Sequence, residues 1–276
     1  MDMPPRDKPR GAACAEVLRL HGGQARPQRD WLCEEVPVAL EFNGISHAVM
    51  LATPADLEDF ALGFALTEGI VEHAGEVFEI SVEESASGIS LHVDIASRRL
   101  QALKLRRRSL AGRTGCGLCG TDSLDQALRP VPPVGTGPLV EPGALERAVE
   151  SLRPLQPLFE ATGSVHAAAL CSADGRVLLA REDVGRHNAL DKLLGAAARG
   201  GLDAREGVVV ISSRASIEMV QKAASQGCTV LAAVSAPTAL AVRAADQAGM
   251  TLVGRIRGSD MVVYCGARRL APTPGS

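Results

Sequence analysis

The chain is poor in aromatic residues: one Trp, one Tyr and five Phe make up 3% of its 276 residues. That scarcity argues against a stacking platform for single-stranded nucleic acid. Charge of neither sign dominates. The 29 Lys and Arg face 32 Asp and Glu, and a formal net charge of −3 gives no general attraction to nucleic acid or to an acidic membrane. No stretch approaches the run of about 20 apolar residues needed to span a bilayer, so membrane insertion is not expected. The start, Met1–Asp7, is polar and lacks the apolar stretch of a signal peptide. The seven cysteines are odd in number and scattered along a chain too large to need a disulfide framework. A reducing, cytoplasmic setting fits that usage.

What remains is ordinary globular material, 46% hydrophobic and 22% charged, long enough for a sizeable core in one or two domains. Residues 1–30 are rich in Pro, Gly, Arg and Asp and are expected to be partly disordered. A small α+β domain is expected over residues 31–110. Its hairpin is marked by Asn43-Gly44, because both positions of a two-residue turn want positive φ. Thr53-Pro54 reads as N-cap and first residue of a helix that Gly69 ends. A strand follows in which Ile89, Leu91, Val93 and Ile95 alternate with Ser90, His92 and Asp94. Residues 111–138 hold a cysteine loop and a Pro/Gly-rich connector, residues 139–270 a larger domain, and 271–276 a tail. In the larger domain, apolar runs at 208–211 and 229–234 read as strands covered on both faces. Alternation with helices predicts α/β layers around a mixed sheet.

Cys116 and Cys119, within Gly115-Cys116-Gly117-Leu118-Cys119-Gly120, are the closely spaced cysteine pair. The flanking glycines allow a tight turn. Upstream stand Arg98, Arg99, Lys104, Arg106, Arg107, Arg108 and Arg113 with no acidic residue among them. Cations favour the thiolate, which is the reactive form. From the residues alone, sulfur relay, thioredoxin-like disulfide exchange, a zinc knuckle and a pair of unreactive loop thiols all stay open. The basic run is either a solvated face or a guide surface for an anionic partner.

Polar groups gather where strands end. Ser212–Ser216 follows the strand at 208–211, Ser235–Thr238 the one at 229–234, and Gly254–Ser259 the one at 251–254. Ligands of open α/β sheets bind beyond the carboxyl ends of strands, and helix N-termini there suit phosphate. Arg214, Arg255 and Arg257 would add bidentate contacts. Glu182–Lys192 is dense in polar groups before a helix, and its His187 is open to roles as acid, base, ligand or structural histidine.

Taken in order, these segments resemble the FdhD/NarQ family of formate dehydrogenase accessory sulfurtransferases. The resemblance runs from about Glu35 to Tyr264. It is carried by Cys116–Gly120, Glu182–Ala189 and Ser235–Thr238, with support from Asn43-Gly44, Thr53-Pro54, Gly63-Phe64, Glu68-Gly69, Thr162-Gly163, His166-Ala167, Glu218 and Gln221-Lys222. It implies a larger domain similar to cytidine deaminases, beside the smaller N-terminal α+β domain. It does not imply deamination, since His166 precedes Ala167-Ala168 and Cys116 follows Gly115; no structural metal is expected. It further implies persulfide sulfur taken from a cysteine desulfurase onto Cys116, with Cys119 as its partner thiol. The resemblance implies that this sulfur goes to the molybdenum (or tungsten) bis(molybdopterin guanine dinucleotide) cofactor, bound as a substrate, of the client formate dehydrogenase. Arg255, Ile256, Arg257, Gly258, Ser259 and Asp260 match the family's cofactor-binding stretch, departing from it at Arg255 and Ser259-Asp260. A homodimer is expected from the family. The competing roles are a cofactor-binding chaperone without catalysis and a thiol oxidoreductase.

Overall fold

The computed structural model describes residues 8–111 and 130–271, with 106–111 described by backbone alone. The chain opens on a hairpin of β1 (Ala12–His21) and β2 (Gln24–Cys33), paired from Ala12↔Cys33 to His21↔Gln24. This differs from the partial disorder expected of residues 1–30. Gly22 and Gly23, at φ 55° and 78°, supply the two positive-φ positions of the turn. The base of the hairpin docks through Ala12, buried with Leu158 and Val165 and covered by Trp31 and Cys33. Neither the Gly-Gly turn nor that docking shows in the composition.

The smaller unit is a four-stranded sheet in the order β4-β3-β6-β5, made of β3 (Val36–Phe42), β4 (Ile45–Ala52), β5 (Val77–Ser85) and β6 (Gly88–Ile95). Asn43 and Gly44 take positive φ, as the hairpin reading requires, and the Asn43 side chain bridges both backbone groups of Ile95. Val38, Leu40 and Phe42 of β3 and Leu91, Val93 and Ile95 of β6 bury one face against helix α1 (Leu57–Thr67), through Phe60, Ala61 and Phe64. Helix α1 starts later than Thr53-Pro54 predicts. Its N-cap is Asp56, and Thr53 is drawn into bonds with the other unit. The basic run continues from β6 as helix α2 (Ser97–Ala111).

The larger unit is a six-stranded mixed sheet in the order β12-β11-β10-β9-β7-β8. Its strands are β7 (His166–Cys171), β8 (Val177–Asp183), β9 (Val208–Ile211), β10 (Val230–Ala233), β11 (Thr251–Arg257) and β12 (Asp260–Cys265). Strands β9, β10 and β11 are parallel, while β7 runs antiparallel to β9 and β8 to β7. The apolar runs are covered on both faces, as read. Val209 and Ile211 pack with α5 (Arg186–Arg199), α6 (Ile217–Ser225) and α7 (Ala239–Gln247); Val208 and Val210 pack under α3 (Pro142–Leu152). A short helix, α4 (Pro157–Thr162), precedes β7.

The two units meet where α1 crosses α5. Gly63 lies against the backbone of Asp191 and Gly195 against that of Asp59: a Cβ added at either would sit 1.7 Å or 1.9 Å from the facing carbonyl oxygen. Because backbone rather than flexible side chain stands in the way, Gly63→Ala or Gly195→Ala forces the helices apart. Each is expected to destabilise the protein by about 2 kcal/mol or more, measured as a lowered midpoint in urea unfolding.

Candidate functional site

Strands β8, β9 and β10 each run into a helix at one sheet edge, where β11 also ends. The connections are stitched together. Val234 N–H donates to Ile211 O, Thr238 N–H to Ala215 O, and Arg255 N–H to Ser235 O, at 2.9 to 3.1 Å. Ser212 and Ala167 exchange two bonds, one through the Ser212 hydroxyl. Since β7 is antiparallel, His166 begins at this edge, and β8 ends there at Asp183, its register partner. Helices α5, α6 and α7 all start there, the last capped by Thr238 Oγ1 accepting from Ala241 N–H at 3.2 Å. Free N–H groups and three positive dipole ends make the edge hospitable to anions.

Of the site residues read from the sequence, Arg214 is exposed in the connection after β9. The stretch Arg255–Asp260 is not a strand-to-helix junction, contrary to the sequence reading. Strand β11 continues to Arg257, turns at Gly258-Ser259 (Gly258 φ 57°) and returns as β12. The pairing of β11 with β12 is irregular between Gly254 and Arg257, and Arg255 takes φ 56° there. Arg255, Arg257, Gly258, Ser259 and Asp260 are exposed, whereas the Ile256 side chain is buried in the core beneath α3. Cys116 and Cys119 lie outside the described residues. Burial pushes the thiols of Cys171 and Cys228 up to about 12, which keeps them protonated and inert.

Two of the seven upstream cations are committed elsewhere. Arg98 and Arg99 both pair with the buried carboxylate of Glu76, and Arg99 also with Glu72. Burial works to raise the Glu76 pKa, but the Glu72 N–H and the two guanidiniums outweigh it and hold it at about 2. They root helix α2 on the smaller unit rather than facing a partner.

The polar segment Glu182–Lys192 divides into structural and free groups. Asp183 and Lys192 are wholly buried and paired at 2.6 Å. Asp183 also accepts from Thr53 N–H, Gly185 N–H and the Asn188 amide, while Lys192 donates to Thr53 O. Nearby, Lys222 joins Asp191, Glu68 and Thr67. Burial alone would neutralise that ammonium, but Asp191 and Glu68 hold its pKa above normal. These bonds bind one unit to the other, a role invisible in a segment whose partners lie over 120 residues away. Lys192→Met strands Asp183 as a buried charge without its counter-ion. The expected loss is about 3–5 kcal/mol, read by chemical denaturation.

Arg186 and His187 stand at the open side of the same segment. Burial, and then the Arg186 charge, push the His187 imidazole down to about 4; Glu218, 3.9 Å from its Nε2, pulls weakly the other way. His166 is lowered by the same two causes. Unfolded histidine titrates near 6.5, so the unfolded chain binds the extra proton first. The His187 contribution to stability is complete above about pH 6.5 and is lost as pH falls toward about 4. An NMR titration is expected to find the His187 ring neutral at pH 6, and His187→Gln to flatten the pH dependence of unfolding in that window.

Comparison with known structures first defines the fold. A crystal structure from Desulfotalea psychrophila, of a candidate formate dehydrogenase accessory protein, superposes with a TM-score of 0.76 at 23% identity, covering 94% of this chain and 99% of that one. Sequence comparison then fixes the lineage. A model of the FdhD/NarQ family matches residues 33–271. A "Sulfur carrier protein FdhD" of Variovorax paradoxus (strain S110) is 52% identical over 98% of each chain. A protein of the same name from Cupriavidus necator is 56% identical over 92% of this chain and 88% of its own. The chain belongs to the FdhD/NarQ family.

Proposed function

We propose that this protein is a sulfur carrier for formate dehydrogenase, acting in the cytoplasm as a homodimer. The observation that carries the reading is the near full-length likeness, at 52–56% identity, to proteins named as sulfur carriers, in a chain with one closely spaced cysteine pair. Cys116 thiolate attacks the outer sulfur of a persulfide on a cysteine desulfurase; a new S–S bond forms and the donor leaves as thiol. Cys119 is the neighbouring thiol for shuttling that sulfur or resolving the persulfide by exchange. The acceptor is the molybdenum bis(molybdopterin guanine dinucleotide) cofactor, here a substrate.

The described residues fit such an anion. The sheet edge offers three helix starts with Arg214 and Arg255, beside a buried Arg186 Nε that has no hydrogen-bond partner among the described residues. The connector after the cysteine segment is pinned at the far end of the sheet. Val134 N–H donates to Ala248 O at 2.9 Å, and Arg269 Nη2 to Gly135 O at 2.7 Å.

Cys116→Ala is expected to abolish formate dehydrogenase activation in a deletion strain while cofactor binding persists; an active variant refutes the assignment. Incubation with a desulfurase and cysteine is expected to add about 32 Da per sulfur at Cys116 by mass spectrometry. A chaperone without catalysis would show no addition, and an oxidoreductase only a reversible disulfide.

A further inference from the structure

Helix α2 divides into a rooted half and a free half. Arg98 and Arg99 hold its first turn to Glu76 and Glu72. Leu103 is buried in the core of the smaller unit, and Leu100 packs against that core. Beyond Leu103 the helix leaves it. Lys104 is exposed and has no ion pair among the described residues, and Leu105 beside it is 64% exposed. The backbone continues as helix to Ala111. This second half reads Lys-Leu-Arg-Arg-Arg-Ser-Leu-Ala, with four cations and no acidic residue.

Helix physics alone does not account for that composition. Cations in a last turn complement the helix dipole, but the effect fades within one turn. Here Lys104 stands three and four residues from Arg107 and Arg108, spacings at which like charges repel. An acidic surface laid over this half would relieve the repulsion and cover Leu105.

The place of the helix in the chain selects the owner of that surface. Only residues 112–115 separate α2 from Cys116 in the sequence. A protein whose own cysteine comes into bonding contact with Cys116 therefore stands beside the end of α2. In the functional reading above, the sulfur leaves to a small-molecule cofactor, so the protein that meets Cys116 directly is the donor.

We propose that residues 104–108 of α2 are a docking surface for an acidic patch around the persulfide-bearing cysteine of the desulfurase. The partner's identity rests on the sulfur-carrier reading; the positive free half of α2 does not. Charges of this kind act mainly on the rate of encounter, and salt screens them over about 10 Å at 0.1 M.

The test follows persulfide loading of Cys116 in the full chain over time, by mass spectrometry, with a purified cysteine desulfurase and cysteine. Wild-type loading is expected to slow about tenfold between about 0.05 M and about 0.5 M salt. A variant with Lys104→Glu, Arg107→Glu and Arg108→Glu is expected to load about tenfold more slowly at low salt and to lose most of the salt dependence. Should it not fold, the same three positions changed to glutamine decide, with a smaller loss in the same direction. Alkylation of Cys116 by iodoacetamide, a neutral probe of the thiolate, is expected to slow far less than loading does. An equal slowing would mean that the cations serve the thiolate and not the partner, and overturns the proposal. So does a variant that loads at the wild-type rate, whether or not it then fails to activate formate dehydrogenase. Calorimetric titration of the chain with the desulfurase separates the surface from sulfur carriage. A complex that weakens about tenfold in the variant sustains the surface even where Cys116 takes up no sulfur. No complex, or equal affinities, overturns it.

Discussion

The pair of Asp183 and Lys192 sits at the point where everything else in the molecule is referenced. Both side chains are sealed from solvent, and both reach across to Thr53 of the smaller unit. A buried ion pair is a poor source of net stability, because removing two charges from water roughly cancels their attraction. Its value is geometric. The Asp183 carboxylate fills its lone pairs with the N–H groups of Thr53 and Gly185, the Asn188 amide and the Lys192 ammonium, so an alternative packing leaves some of them empty. That fixes the end of β8, the start of α5, and the strand exit from the smaller sheet in one stroke.

Two further contacts follow from that placement. With α5 held at its first turn, Gly63 and Gly195 can let two backbones touch, and Lys222 can close over Thr67 and Asp191 one turn further on. Large apolar side chains would hold these helices farther apart. Small residues with ionic bonds on either side give a close, specific crossing.

The same arrangement sorts the arginines. Those with a carboxylate or carbonyl in reach, Arg98, Arg99, Arg181, Arg199 and Arg269, serve the scaffold. Arg186, Arg214 and Arg255 are left at the carboxyl ends of the strands, where helix dipoles add to their field. The gathering of these three arginines at one edge of a chain whose net charge is −3 is therefore a product of packing, not of composition.

By itself the sequence determined the alternation of β6, the positive-φ turn at Asn43-Gly44, the doubly covered strands of the larger sheet and the one close cysteine pair. Each of these is set by neighbours a few residues apart, through side-chain periodicity and backbone sterics. Only the tertiary structure decided that Thr53 joins the two units instead of capping α1, that residues 12–33 form a docked hairpin, and that Arg255 to Asp260 closes β11 onto β12. It also decided that Asp183 and Lys192 are scaffold while Arg186, three residues from Asp183, is not. The physical reason is common to all of these. A polar side chain's role depends on which partner can reach it once water is gone, and those partners come from distant parts of the chain.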